Sequence, residues 1–69
     1  MKIGARNRLD GEVVSLKRGT VMCQVLVKAA GGAHMESVMT LDSVDEMKLK
    51  VGDKVRVAVK AVNVLLLKD

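Results

Sequence analysis

Arg6 and Asn7 stand side by side in Lys2-Ile3-Gly4-Ala5-Arg6-Asn7-Arg8-Leu9-Asp10-Gly11-Glu12-Val13-Val14, a stretch that otherwise reads as strand. A guanidinium only donates hydrogen bonds, and a neighbouring amide adds further donors. A strand with this pair in its middle, and a glycine just after it where the chain can bend, is suited to presenting those groups. A second basic strand, Val55-Arg56-Val57-Ala58-Val59-Lys60-Ala61, adds more cations. Together these stretches point to the binding of an anion. Catalysis has much poorer footing. There is no nucleophile–base pair, one histidine (His34) and no paired carboxylates in an apolar context. The single cysteine, Cys23, falls on an apolar strand face and reads as a small core residue rather than a reactive thiol. No cluster of Cys and His has metal-ligand spacing.

The elements that must position these groups follow from periodicity. Residues 2–7 and 11–16 read as a first strand in two pieces. Lys17-Arg18-Gly19-Thr20 is a turn, with glycine where a positive φ is wanted. Val21, Cys23, Val25 and Val27 then alternate with Met22, Gln24, Leu26 and Lys28, which is strand periodicity with one wholly apolar face. Ala29-Ala30-Gly31-Gly32-Ala33 breaks the pattern as a hairpin connection, with His34 just past it. A third strand spans about 34–41. Thr40, Asp42 or Ser43 can cap a short helix with acids in its first turn and Lys48 and Lys50 at its end, as the helix dipole prefers. Val51-Gly52-Asp53-Lys54 is a turn, Val55, Val57, Val59 and Ala61 are the inward row of a fourth strand, and residues 62–67 are a fifth.

This order predicts an all-β domain with one short helix: a five-stranded OB-like barrel, β-β-β-α-β-β, over residues 1–69 as a single domain. An SH3-like small barrel is the neighbouring possibility. A 69-residue chain is short of core, since a domain of this size buries only about 60% of its unfolded surface. One cysteine excludes an internal disulfide. Yet 49% of the residues are hydrophobic, and Leu65-Leu66-Leu67 cannot all face inward on a period-two strand. Association with further copies is the economical cover for them. The five methionines read as gap-fillers of a core that has no aromatic residue.

The charge of +4, with a pI near 9.6, attracts anions of any kind. It leaves open a small oxyanion and, as the alternative, an RNA backbone bound by an oligomeric small barrel. The lack of Phe, Tyr and Trp counts against single-stranded nucleic acid, which is commonly stacked on aromatic rings. No basic run supports it either. No apolar run approaches the roughly 20 residues of a membrane span, and a lone thiol without an export signal points to the cytoplasm.

Four stretches taken in order carry a family likeness. The opening Lys-Ile-x-Ala-Arg-Asn-x-Leu-x-Gly-x-Val-Val resembles the start of the small molybdate-binding proteins called molbindins, or Mop proteins. Gly31-Gly32, Thr40-Leu41-x-Ser43-Val44, and Val51-Gly52 leading to Ala58-Val59-Lys60-Ala61-x-x-Val64 agree with the same pattern, in register along the whole chain. The resemblance implies a TOBE/Mop-type OB-like module without catalysis, assembled as a homohexamer best described as a trimer of dimers. It implies oxyanion sites between subunits, molybdenum storage or homeostasis, and molybdate as ligand with tungstate as its chemical twin. Metal is then held as an oxyanion, not by direct ligation. Carried over residue by residue, the implied site is Gly4, Ala5, Arg6, Asn7, Thr40, Ser43, Lys60 and Ala61. Position 4 departs from the pattern, because the family usually has serine there, and one hydroxyl donor is lost.

The chemistry of such a ligand fits that set. Molybdate is a tetrahedral dianion whose oxygens only accept. Arg6 and Lys60 supply charge-assisted donors, roughly twice as strong as neutral ones. Thr40, Ser43 and backbone N–H groups supply the neutral donors. Sulfate has the same charge and shape at smaller size, so discrimination must come from the cavity.

Overall fold

The computed structural model describes residue 4 and residues 6–69. Four strands form one antiparallel sheet: β1 (Asn7–Arg18), β2 (Met22–Ala29), β3 (His34–Thr40) and β4 (Lys54–Val59), in the spatial order β3-β2-β1-β4. A short helix, α1 (Leu41–Glu46), follows β3, and a 3₁₀ turn at Ala61–Asn63 follows β4. The sheet curls around a core of Val13, Cys23, Val25, Val27 and Val44, backed by Leu16, Met39, Leu41, Leu49, Val55 and Val57. The apolar row of β2 is buried as its alternation demands, except that Val21 stays exposed before the strand begins. Cys23 is buried and free.

α1 lies over one end of the curl with Val44 in the core. Thr40 is its N-cap, the side-chain oxygen accepting from the Ser43 N–H at 3.1 Å. Its C-terminus closes differently from expectation. No basic residue lies in the last turn. Lys48 instead takes a left-handed φ of 52°. The Lys48 N–H then donates to the Asp45 carbonyl, and the Leu49 N–H to the Val44 carbonyl. This is a Schellman closure with lysine where glycine is usual. Leu49 packs back towards Val44 in the manner that closure favours.

Three further expectations are corrected. β1 is not split at Gly11: it is continuous from Asn7, with Gly11 paired to Ala29 on one side and Val55 on the other. The irregularity falls between Val13 and Ser15. On its β4 side Val13 bonds the turn, donating to the Asp53 carbonyl and accepting from the Gly52 N–H. Gly4 and Arg6 lie in bends rather than strand, and the other residues expected to open that strand lie outside the described ones. Gly19 is not among the positive-φ glycines, which are Gly31, Gly32 and Gly52. The glycine pair does turn the β2–β3 hairpin, closed by the Ala29 N–H donating to the Ala33 carbonyl at 2.7 Å.

The last correction concerns the fifth strand at 62–67. Residues 61–63 form the 3₁₀ turn, and 64–69 have no regular structure. The sheet therefore has four strands where five were expected. β4 accordingly stops at Val59, and Ala61 is exposed. The reason is the lack of a ladder partner: Leu65, Leu66 and Leu67 pair with none of the four strands and are 86%, 92% and 97% exposed.

Gly11 is required by proximity. A Cβ there would lie 2.5 Å from Val27 Cγ1 and 3.2 Å from the Lys28 carbonyl oxygen. Val27 is buried and β-branched, so it cannot swing away. Glycine to alanine in a compatible conformation normally stabilises by about 0.4–1 kcal/mol through the unfolded chain. Overpacking costs about 1–3 kcal/mol and wins. Gly11→Ala should therefore lower the thermal midpoint, and a midpoint that holds or rises would show that β2 gives way.

Candidate functional site

β4 sets the position of the basic groups. Its register runs from Glu12 against Lys54 to Asn7 against Val59. Arg6, just before the first paired residue of β1, and Lys60, just after the last of β4, therefore lie next to the same end pair, Asn7 and Val59. Lys60 then caps the 3₁₀ turn, with its carbonyl accepting from the Asn63 N–H at 2.9 Å. β2 reaches β1 only from Gly11 onward, and the Asn7–Leu9 segment borders an open cleft. Its volume is about 580 Å³, and its lining is Arg6, Asn7, Arg8, Leu9, Met35, Val59, Asn63 and Val64. The lining residues include two arginines and two asparagines and no aspartate or glutamate. Such a residue set can donate to an anion.

Sequence reasoning found Arg6 and Asn7 in this cleft and missed Arg8, Asn63 and the apolar walls. Asn63 was hidden because 62–67 reads as strand. The signal available was its place three residues after Lys60, one turn of a 3₁₀ helix. Ala5 lies outside the described residues. Gly4 is exposed, and a Cβ there would meet no other heavy atom within 4 Å.

Thr40 and Ser43 lie elsewhere. Thr40 pairs with Met22, and Cys23 pairs with Arg18, so the helix start sits at the far end of β1 from Arg6. Twelve residues of strand, at about 3.3 Å each, separate the two groups along β1. An exposed ion pair from Arg18 to Asp45, 2.9 Å, ties that far end to α1. The Thr40 hydroxyl accepts from the Ser43 N–H and donates to Ser43 Oγ at 2.9 Å. One hydroxyl has one proton, so the Ser43 O–H is the donor this pair has left to offer. Within one chain six of the expected residues thus fall into a basic half, with Arg6, Asn7, Lys60 and Ala61, and a hydroxyl half, with Thr40 and Ser43. Both halves are largely solvent-exposed.

Among the described residues no group of three or more His, Cys, Asp and Glu could hold a metal ion directly. No helix among them is long and apolar enough to cross a membrane.

A curled four-stranded sheet plugged by a short helix, with polar groups presented at its ends, defines an OB-like domain of the binding type. The chain belongs to the TOBE domain family, whose pattern matches residues 4–66. It is 43% identical over 67 residues to molybdenum-pterin-binding protein 2 of Clostridium pasteurianum, covering 97% of this chain and 98% of that one. The solved structure of MopII from the same organism superposes with a TM-score of 0.89 at 42% identity, over 97% of this chain and 100% of that one. The cytoplasmic molybdate-binding protein ModG, solved with molybdate bound, superposes with a TM-score of 0.83 at 41% identity, over 88% of this chain and 43% of that one. The likeness to Mop proteins read from four short motifs therefore holds over nearly the full chain.

Proposed function

We propose that this chain binds molybdate, with tungstate as its chemical twin, and serves the storage and homeostasis of intracellular molybdenum. The observation that carries this reading is the cleft beside Asn7–Leu9, lined by Arg6, Arg8, Asn7 and Asn63 without a carboxylate. The names of the relatives agree, since they describe binding of molybdate or molybdenum-pterin and no catalysis. On this reading the protein is a binding protein, not an enzyme, and its place is the cytoplasm.

The site in this proposal is composite. An oxyanion on one exposed half-site would stay hydrated, and charge-assisted bonds gain most where water is excluded. Joining the basic half of one copy to the hydroxyl half of another would supply Arg6, Lys60, Asn7, Thr40 and Ser43 with backbone donors near Gly4, Ala5 and Ala61. The exposed Leu65–Leu67 tail supports association of this kind. A homohexamer, arranged as a trimer of dimers, is the assembly proposed.

The test is calorimetric titration of the purified protein with molybdate and with sulfate at several salt concentrations, alongside its native mass. Saturable molybdate uptake by an oligomer, little changed between low and moderate salt, is expected of an enclosed site. Weak binding that sulfate matches, or that collapses with salt as phosphate-backbone contacts do, would reject the reading. A generic RNA under the same salt series tests the alternative, for which the chain offers no aromatic stacking platform.

A further inference from the structure

We propose that Asn63 is a binding residue of this oxyanion cleft, its carboxamide donating through Nδ2 to the bound anion; the inference rests on the function proposed above. Asn63 lines the same cleft as Arg6 and Asn7. Its backbone is fixed there, because its N–H donates to the Lys60 carbonyl at 2.9 Å and so ties it to the cation that opens the turn. Among the described residues its side chain has no hydrogen-bond partner. It is therefore not spent on holding the turn together.

The donor count gives it a role. The resemblance to Mop proteins implies a serine hydroxyl where this chain has Gly4, which would leave the basic half one neutral donor short. A carboxamide carries two donor hydrogens, and Asn63 brings them to the cleft from the β4 side. Its neutrality matters as much. Aspartate has the same shape, but it only accepts and is negatively charged, so at this position it would oppose a dianion.

Two substitutions in the assembled protein test this, with inorganic molybdate as the probe and native mass measured for each. Asn63→Ala should weaken binding about 3–10-fold, the loss of one neutral hydrogen bond, with native mass unchanged. Asn63→Asp should weaken it further, by at least about tenfold, and the excess over alanine should shrink as salt rises because it is electrostatic. If the aspartate variant fails to assemble, the alanine variant decides alone. Molybdate affinity that falls with Arg6→Ala but is unmoved by Asn63→Ala overturns the inference and leaves the function standing. An unaltered protein that takes up no molybdate overturns both.

Discussion

Leu66→Asp should break the protein into monomers of about the 7.4 kDa chain mass, with loss of oxyanion binding in the same step. The force of the test lies in the exposure of the site. Leu66 is 92% exposed in the single chain. A substitution at such a position ordinarily changes stability by no more than about 0.5 kcal/mol. If the residue is covered by another copy, the same change removes about 1.5–3 kcal/mol of leucine burial per chain. It also places a carboxylate in an apolar seam, where an unpaired charge costs more still. Leu65 and Leu67 flank it at 86% and 97% exposure, so the seam would lose its centre. Light scattering reads the result directly. An unchanged native mass would show that the tail is not the contact surface.

Arg6→Ala should raise the dissociation constant for molybdate by about one to two decades, the loss of one charge-assisted donor at about 1.5–3 kcal/mol. The fold should stay intact. Arg6 precedes the first paired residue of β1, is exposed, and has no hydrogen bond or ion pair among the described residues. Lys60→Met keeps the aliphatic stem and deletes the charge, and should act in the same direction. Calorimetry that finds either variant binding like the unaltered protein removes that side chain from the site.

What could be read from the sequence was mostly local. Cys23, Val25 and Val27 had to share a face because strand side chains alternate, and that face is the core. Gly31-Gly32 had to turn because two strand-like runs met there, and Thr40 lay where a cap was needed. What escaped depends on partners far along the chain. The irregularity between Val13 and Ser15 falls just past Glu12, where pairing with β4 ends while pairing with β2 continues. The tail looked like a strand because Val-Asn-Val-Leu-Leu-Leu has strand composition, but a strand exists only where a ladder partner does. Lys48 closes α1 in a conformation that glycine usually supplies, so residue type gave no warning. The candidate site could be named as a set of residues from its motifs. Its division into two halves could not, since that needs the length of β1 and the pairing of Thr40 with Met22.

The placing of those halves at opposite ends of one strand has a consequence for stoichiometry. If an oxyanion is held only where the basic end of one copy meets the hydroxyl end of another, each chain is half of two sites. A closed ring then has as many complete sites as chains, while an open or partial assembly leaves unfilled halves at its boundaries. Binding and closure become linked: ligand that occupies only completed sites favours the closed form by RT ln(1 + [L]/Kd) per site. Dilution of the protein alone would then release cargo, with no change in pH, redox state or competing anion. The concentration of the chain itself would act as the valve.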